Sequence, residues 1–228
     1  MRQKKKEKII VFGSGAHAKV LISEIKKIKK FKIEGIVDKK IDRKNKIYLK
    51  KNLIKYLGNF NFFFNKYYRK NIKGVIGVGN NFIREKMFNE ITAYKKNIKW
   101  AKIISTDTII SKDVLIEEGS VVISGTIINT GTKIGKHCLI NTRSTIDHDN
   151  SFKDFSSTGP GSITGGNVKL GKRSHLGIGC VIKNSIAIGD DTIIGGKAFV
   201  NKNCKDRSVY FGVPAKKKKN RTIKHKYF

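Results

Sequence analysis

The chain has 228 residues, enough for one large or two small domains that each bury a core, and two is the expectation. Its formal charge of +32 is spread over the whole sequence beside abundant Ile, Asn and Phe, the composition of an AT-rich genome; no binding motif accompanies it, so no specific nucleic-acid partner is expected. Cys138, Cys180 and Cys204 lack CxxC spacing and sit among aliphatic residues, which reads as buried thiols and argues against both disulfides and a structural metal.

The N-terminus, "MRQKKKEKIIVFGSGAHA", has only a short apolar run before its glycines, so neither a signal peptide nor a membrane span is expected and the protein reads as cytoplasmic. "KIIVFGSGAHAKVLISEIKKIKK" reads as strand, glycine turn and amphipathic helix, and "FKIEGIVDKK" as a second strand ending at Asp38. A less informative stretch with "FNFFFNKYY" follows, whose aromatics read as core packing, and "KGVIGVGNNFIREKMF" is a third strand and helix. Alternating strand and helix imply a parallel sheet whose ligands bind at the carboxyl ends of its strands. Gly13, Gly15 and Ala18 match GxGxxA, with Asp38 about 20 residues on to accept from a ribose or sugar hydroxyl. Residues 1–100 suffice for a small Rossmann-like nucleotide-binding domain but not for two mononucleotide halves, which disfavours NAD.

From Ile104 to Lys205 the chain divides into seventeen uninterrupted hexads. Their first residue is nearly always bulky and apolar, the second is often Gly, Asn or Asp, and the fifth is small or aliphatic. Neither the helix period nor the strand period produces this pattern, whereas a parallel β-helix does, with one hexad per flat side. Aliphatic residues then point inward, and Gly or Asn supplies the backbone freedom each corner needs. Three hexads close a triangular coil, so residues 101–228 form between five and six coils followed by a basic C-terminal tail. The fold class is therefore α/β followed by all-β.

The same register stacks positions 18 apart. His148 meets Gly166, Asp149 meets Asn167, and Ile178 meets Gly196 on a different side of the prism. A single histidine between two aspartates, beside a backbone amide with no side chain to shield it, suits general-base chemistry. His137, His175 and His225 have no comparable setting and read as solvent-facing.

The order of "GSGAHAKV", "VDKK", "IGVGNN", "NTRSTIDHD", "GGNVKLGK", "IIGGKAFV" and "FGVPAK" resembles bacterial sugar acyltransferases that join a small nucleotide-binding domain to a left-handed β-helix. That family includes UDP-4-amino-sugar N-acetyltransferases and sialic acid O-acetyltransferases. The resemblance implies acetyl-CoA as co-substrate, no metal, and a homotrimer. It makes His148 the general base and Asp149 the carboxylate that raises its basicity. Gly15, Ala16, His17, Asp38, Lys39 and Gly79 would contact a nucleotide sugar, and Gly166, Ile178 and Gly196 would contact acetyl-CoA. Some relatives carry a second histidine near the thioester where this chain has Ser157, whose hydroxyl remains a candidate coenzyme contact.

The expected activity is acetyl-CoA-dependent N-acetylation of a nucleotide-linked amino sugar in bacterial glycan biosynthesis. Two alternatives stand beside it: O-acetylation of a sialic acid or related sugar, and a non-catalytic β-helix scaffold that binds polyanions. Because His148 and the Ile178–Gly196 pair lie on different sides of the prism, a shared site in a homotrimer is expected.

Overall fold

The computed structural model describes residues 6–67, 73–94 and 98–222, in two compact units. Parts of the basic termini, Tyr68 of the aromatic run and His225 lie outside the described residues.

The first unit runs up to Gly79 and includes Ile83–Ile103. Its sheet contains β1 (Glu7–Phe12), β2 (Phe31–Val37), β3 (Lys73–Ile76) and β4 (Lys99–Trp100), all parallel, in the order β2-β1-β3-β4. Helices α1 (Ala16–Lys27), α2 (Arg43–Lys51), α3 (Phe60–Tyr67) and α4 (Asn81–Tyr94) connect the strands. The aromatic run packs as core: Phe60, Phe63 and Phe64 of α3 are buried, and their rings surround Phe12 with centroids 6.1 to 6.3 Å away. Helix α1 closes tightly on the sheet because Gly77 lets Ala18 approach; a Cβ on Gly77 would stand 2.9 Å from that of Ala18.

The second unit is the hexad prism, Ile104 onward with Asn80–Phe82. Two-residue strands recur every six residues from β5 (Ile103–Ile104) to β21 (Phe199–Val200), and through β18 (Val181–Ile182) each pairs in parallel with the strand 18 residues on. Three flat sides result. The first contains β5, β8, β11, β14, β17 and β20, the second β6 through β21, and the third β7 through β19. Hexad-start residues such as Ile140, Ile146, Leu176 and Ile194 are 0% exposed, so each coil buries an aliphatic layer against the next. The three cysteines lie in this unit as buried free thiols, and burial raises Cys180 and Cys204 to about 12.

Small fifth residues do more than fill space. Ser120, Thr126, Thr132, Ser144 and Ser174 each donate a hydroxyl to the carbonyl 15 residues on, at 2.6 to 3.3 Å. These bonds satisfy corner carbonyls that the two-residue ladders leave over.

The corner geometry differs from the sequence expectation. The left-handed residue is the fourth of the hexad, as at His137, Arg143, Asp149 and Asn167 (φ 52° to 60°), and not the second. Second-position glycines are needed because the next coil passes too close: a Cβ on Gly177 would lie 2.6 Å from the backbone of Gly195 and Gly196. Backbone cannot yield as a flexible side chain does. Gly177→Ala is therefore expected to destabilise the chain by about 1–3 kcal/mol in chemical denaturation, the usual cost of overpacking.

Two histidines are also placed differently from expectation. His137 is buried, stacked on Phe155 at 5.2 Å, because the turn that carries it packs against Gly119 of the coil below. His175 is half-buried on the first side, with Nδ1 2.8 Å from Ser157 Oγ.

Candidate active site

Asp147, His148 and Asp149 form the corner between β12 (Thr145–Ile146) and β13 (Ser151–Phe152), where the second side passes into the third. Asp147 organises the turn. Its Oδ1 accepts from the His148 N–H at 2.8 Å and from Asn129 Nδ2 at 2.9 Å, and these bonds hold its carboxyl below the usual range. Asp149 occupies the left-handed position, φ 56°, and its Oδ2 lies 2.8 Å from His148 Nδ1. With Nδ1–H donated to that carboxylate, the lone pair of His148 is on Nε2. The hydrogen bond to Asp149 raises the imidazole above its ordinary pKa, and the Asp147 charge adds to it.

The dyad is held between two glycines of neighbouring coils. A Cβ on Gly166 would come within 2.5 Å of His148 Nε2, and one on Gly131 within 2.2 Å of Asp149 Oδ1. The imidazole therefore lies over Gly166 and the carboxylate over Gly131. Gly166 was expected here from the 18-residue register. Gly131 was not, although the same spacing from Asp149 identifies it. No acceptor for the Gly166 N–H is found among the described residues, which leaves a backbone donor beside the imidazole edge.

Asn150 is a second residue that sequence reasoning missed. Among fifth positions of the hexads it is the one amide, and it is 1% exposed. Its Nδ2 donates to the carbonyls of Asp147 at 2.7 Å, Gly165 at 3.0 Å and His148 at 3.1 Å, fastening the corner from inside the prism. Thr132 reinforces this from the coil below, with Oγ1 2.9 Å from the Asp147 carbonyl.

Asp149→Asn separates charge from geometry, since asparagine tolerates the left-handed backbone. Removing the carboxylate removes the largest cause of the raised His148 pKa, so less alkaline conditions suffice to free the base. The acid limb of the kcat–pH profile is expected to move to lower pH, with a lower plateau.

Ile178 and Gly196 lie at the other corner of the second side, after β17 (His175–Leu176) and β20 (Ile193–Ile194) of the first. Both are exposed, and they are stacked: Lys197 N donates to the Ile178 carbonyl at 2.8 Å, and a Cβ on Gly196 would lie 3.3 Å from that oxygen. Ser157, by contrast, is 1% exposed and engaged with His175.

In the first unit, the turn after β1 carries Gly13 at φ 102° and leads into α1, whose N-cap Gly15 provides no side-chain cap. A Cβ on Gly15 would meet nothing within 4 Å, so the chain entering α1 is open to the approach of a ligand. His17 stands in this first turn beside Gly79, whose added Cβ would lie 3.7 Å from that of His17. Its ring is half-buried, yet desolvation, with a contribution from the Arg84 guanidinium, pushes its pKa down to about 4. It is a neutral imidazole at neutral pH. Arg84, which the sequence reading did not single out, donates Nη1 to the carbonyls of Val78 and Gly79, both at 3.0 Å. Asp38 accepts from Ser14 N and Oγ at 2.7 Å each and from Lys39 N at 2.7 Å, so it fastens the glycine turn, while Lys39 Nζ pairs with Glu90 at 2.8 Å.

Residues 8–91 match the family described as the PglD N-terminal domain. Along 94% of its length the chain is similar to 98% of a perosamine N-acetyltransferase from Caulobacter crescentus, crystallised as a variant with CoA and GDP-perosamine, at 25% identity and a TM-score of 0.83. The acetyltransferase domain of PglB from Neisseria gonorrhoeae, solved with acetyl coenzyme A, shares the fold at 23% identity (93% of this chain, 100% of that one, TM-score 0.79). WeeI from Acinetobacter baumannii does so at 22% identity (92% and 98%, TM-score 0.76). The prism is the left-handed β-helix of this group.

Proposed function

We propose that this chain, a bacterial sugar acyltransferase built on a left-handed β-helix, transfers acetyl from acetyl-CoA to the amino group of a nucleotide-linked amino sugar. The observation that carries the reading is the His148–Asp149 dyad lying over Gly166. The neutral amine attacks the thioester carbon while Nε2 of His148 takes its proton. The oxygen that becomes negative receives the Gly166 N–H. When the C–S bond breaks, the imidazolium returns a proton to the leaving sulfur, giving amide and CoA. Asp149 keeps the ring oriented and stabilises its charged form.

The substrate side rests on the first unit. The uncapped start of α1 and the neutral His17 suit a diphosphate, and Gly79 and Lys39 complete the expected contacts. The Caulobacter crescentus protein was crystallised with a GDP-linked amino sugar, which supports an amine acceptor over a hydroxyl. An acetyl-CoA assay against UDP-amino sugars, GDP-amino sugars and sialic acids tests this. Turnover confined to sialic acids would favour O-acetylation and overturn the amine reading.

Assembly as a homotrimer is part of the proposal. Outward residues of the second side include Ile109 (68% exposed), Ile163 (44%) and Val181 (38%), an apolar ladder that three copies would cover around a three-fold axis. His148 lies at one edge of that side, Ile178 and Gly196 at the other. Packing second sides together brings one edge of each copy to the opposite edge of its neighbour. The acetyl-CoA groove is then shared, and Ser157 would act on the coenzyme only through His175.

A further inference from the structure

The prism ends in a two-stranded ribbon, β22 (Ser208–Phe211) and β23 (Lys216–Asn220), which continues the first side and pairs antiparallel. Every residue of β23 is exposed, including four consecutive lysines, and none of these lysines has an acidic partner among the described residues. Lys202, Lys205 and Arg207 add exposed positive charge at the same end. The one carboxylate between 201 and 222 is that of Asp206, and its Oδ1 is taken by the Asp190 N–H at 2.8 Å. A register shift opposite Val209 and Tyr210 leaves Lys218 as the bulged residue of β23, so the strict alternation of side chains along the ribbon is broken there. In the turn joining the strands, Val213 is 74% exposed, an apolar group within the basic strip.

Lysines on an edge strand guard against edge-to-edge pairing, a role that needs no apolar tip beside them. Four in a row, unneutralised and next to an exposed aliphatic tip, form the pattern of a peripheral membrane contact, with positive charge for headgroups and an apolar group for the acyl boundary. Among the described residues the ribbon exposes a single aromatic ring, Phe211 (43% exposed), and not the succession of stacking rings on which single-stranded nucleic acid is held. We propose that this end of the prism docks on the anionic phospholipid headgroups of a bilayer. The inference is independent of which sugar the enzyme acetylates.

Co-sedimentation with phosphatidylcholine vesicles, with and without phosphatidylserine, tests it. A basic residue near an anionic surface strengthens binding about fivefold, so combining Lys216→Gln, Lys217→Gln, Lys218→Gln and Lys219→Gln is expected to weaken binding to the anionic vesicles by ~100-fold or more. A control with the same charge change, Lys44→Gln, Lys46→Gln, Lys50→Gln and Lys51→Gln in α2, is expected to lose no more than about threefold. Equal losses in the two variants would mean that the charge acts diffusely and would overturn the proposal. So would retained vesicle binding with a raised KM for acetyl-CoA, or duplex DNA held as tightly as the vesicles at the same salt. Amine labelling of the unaltered chain supplies a readout that needs no variant: vesicles should protect Lys216–Lys219 and leave the α2 lysines reactive, and uniform protection would count against the ribbon.

Discussion

A His148→Ala enzyme is expected to lose between about 100-fold and 10,000-fold in kcat, the range that a positioned general base contributes. The side chain is half exposed at a corner, and its imidazole lies over a glycine rather than filling the prism, so its removal leaves no buried cavity. Thermal unfolding and acetyl-CoA binding should stay close to those of the parent. The loss should fall on kcat at all substrate concentrations, because Nε2 acts on the proton released in the transition state and contributes little to ground-state binding. Steady-state kinetics with calorimetric titration of acetyl-CoA measure both halves of this statement. Turnover within a few-fold of the parent would remove His148 from the mechanism.

Mixing two inactive variants should restore activity if the groove is shared between copies. His148→Ala removes the base at one edge of the second side. Gly196→Phe fills the coenzyme corner at the other edge, where Gly196 is exposed and a side chain would project outward beside Ile178. A shared groove takes its base from one copy and its coenzyme corner from the next. After denaturation and joint refolding at equal amounts, random assembly gives about one quarter of sites with both parts intact, so roughly a quarter of parental activity should return. A groove built within one copy would give no recovery, because every chain carries one of the two lesions. Sedimentation of the parent should show a trimer under the same conditions, and a fully active monomer would contradict the shared groove directly.

Much of the architecture and part of the site follow from the sequence by itself, because uninterrupted hexads make every coil the same length. Equal coils put residue i against i + 18, and that arithmetic was enough to place His148 over Gly166 and Ile178 beneath Gly196; it assigns the two pairs to different sides of the prism, whereas folded they stand at opposite corners of the second side. The strand, glycine turn and helix of the first unit were legible for a local reason at Gly13, whose φ of 102° serves the turn itself, whereas Ala18 is small because α1 closes on the distant Gly77. Only the tertiary structure decided how closely neighbouring coils approach and which side chains find partners there. Second-position glycines such as Gly159, Gly171 and Gly177 are required by the next coil's backbone and not by their own φ, a fact that no period expresses. Asn150 reads in the sequence as a mere exception to small fifth residues, yet folded it ties together the carbonyls of Asp147, His148 and Gly165. Asp38, a candidate ligand contact by its spacing, also fastens Ser14 once the turn folds, and His137, expected at the surface, is stacked on Phe155. A repeat determines which backbones meet, because stacking depends on coil length alone. Hydrogen bonding and burial depend on side-chain reach across that stack, and they are settled only when the coils close on one another.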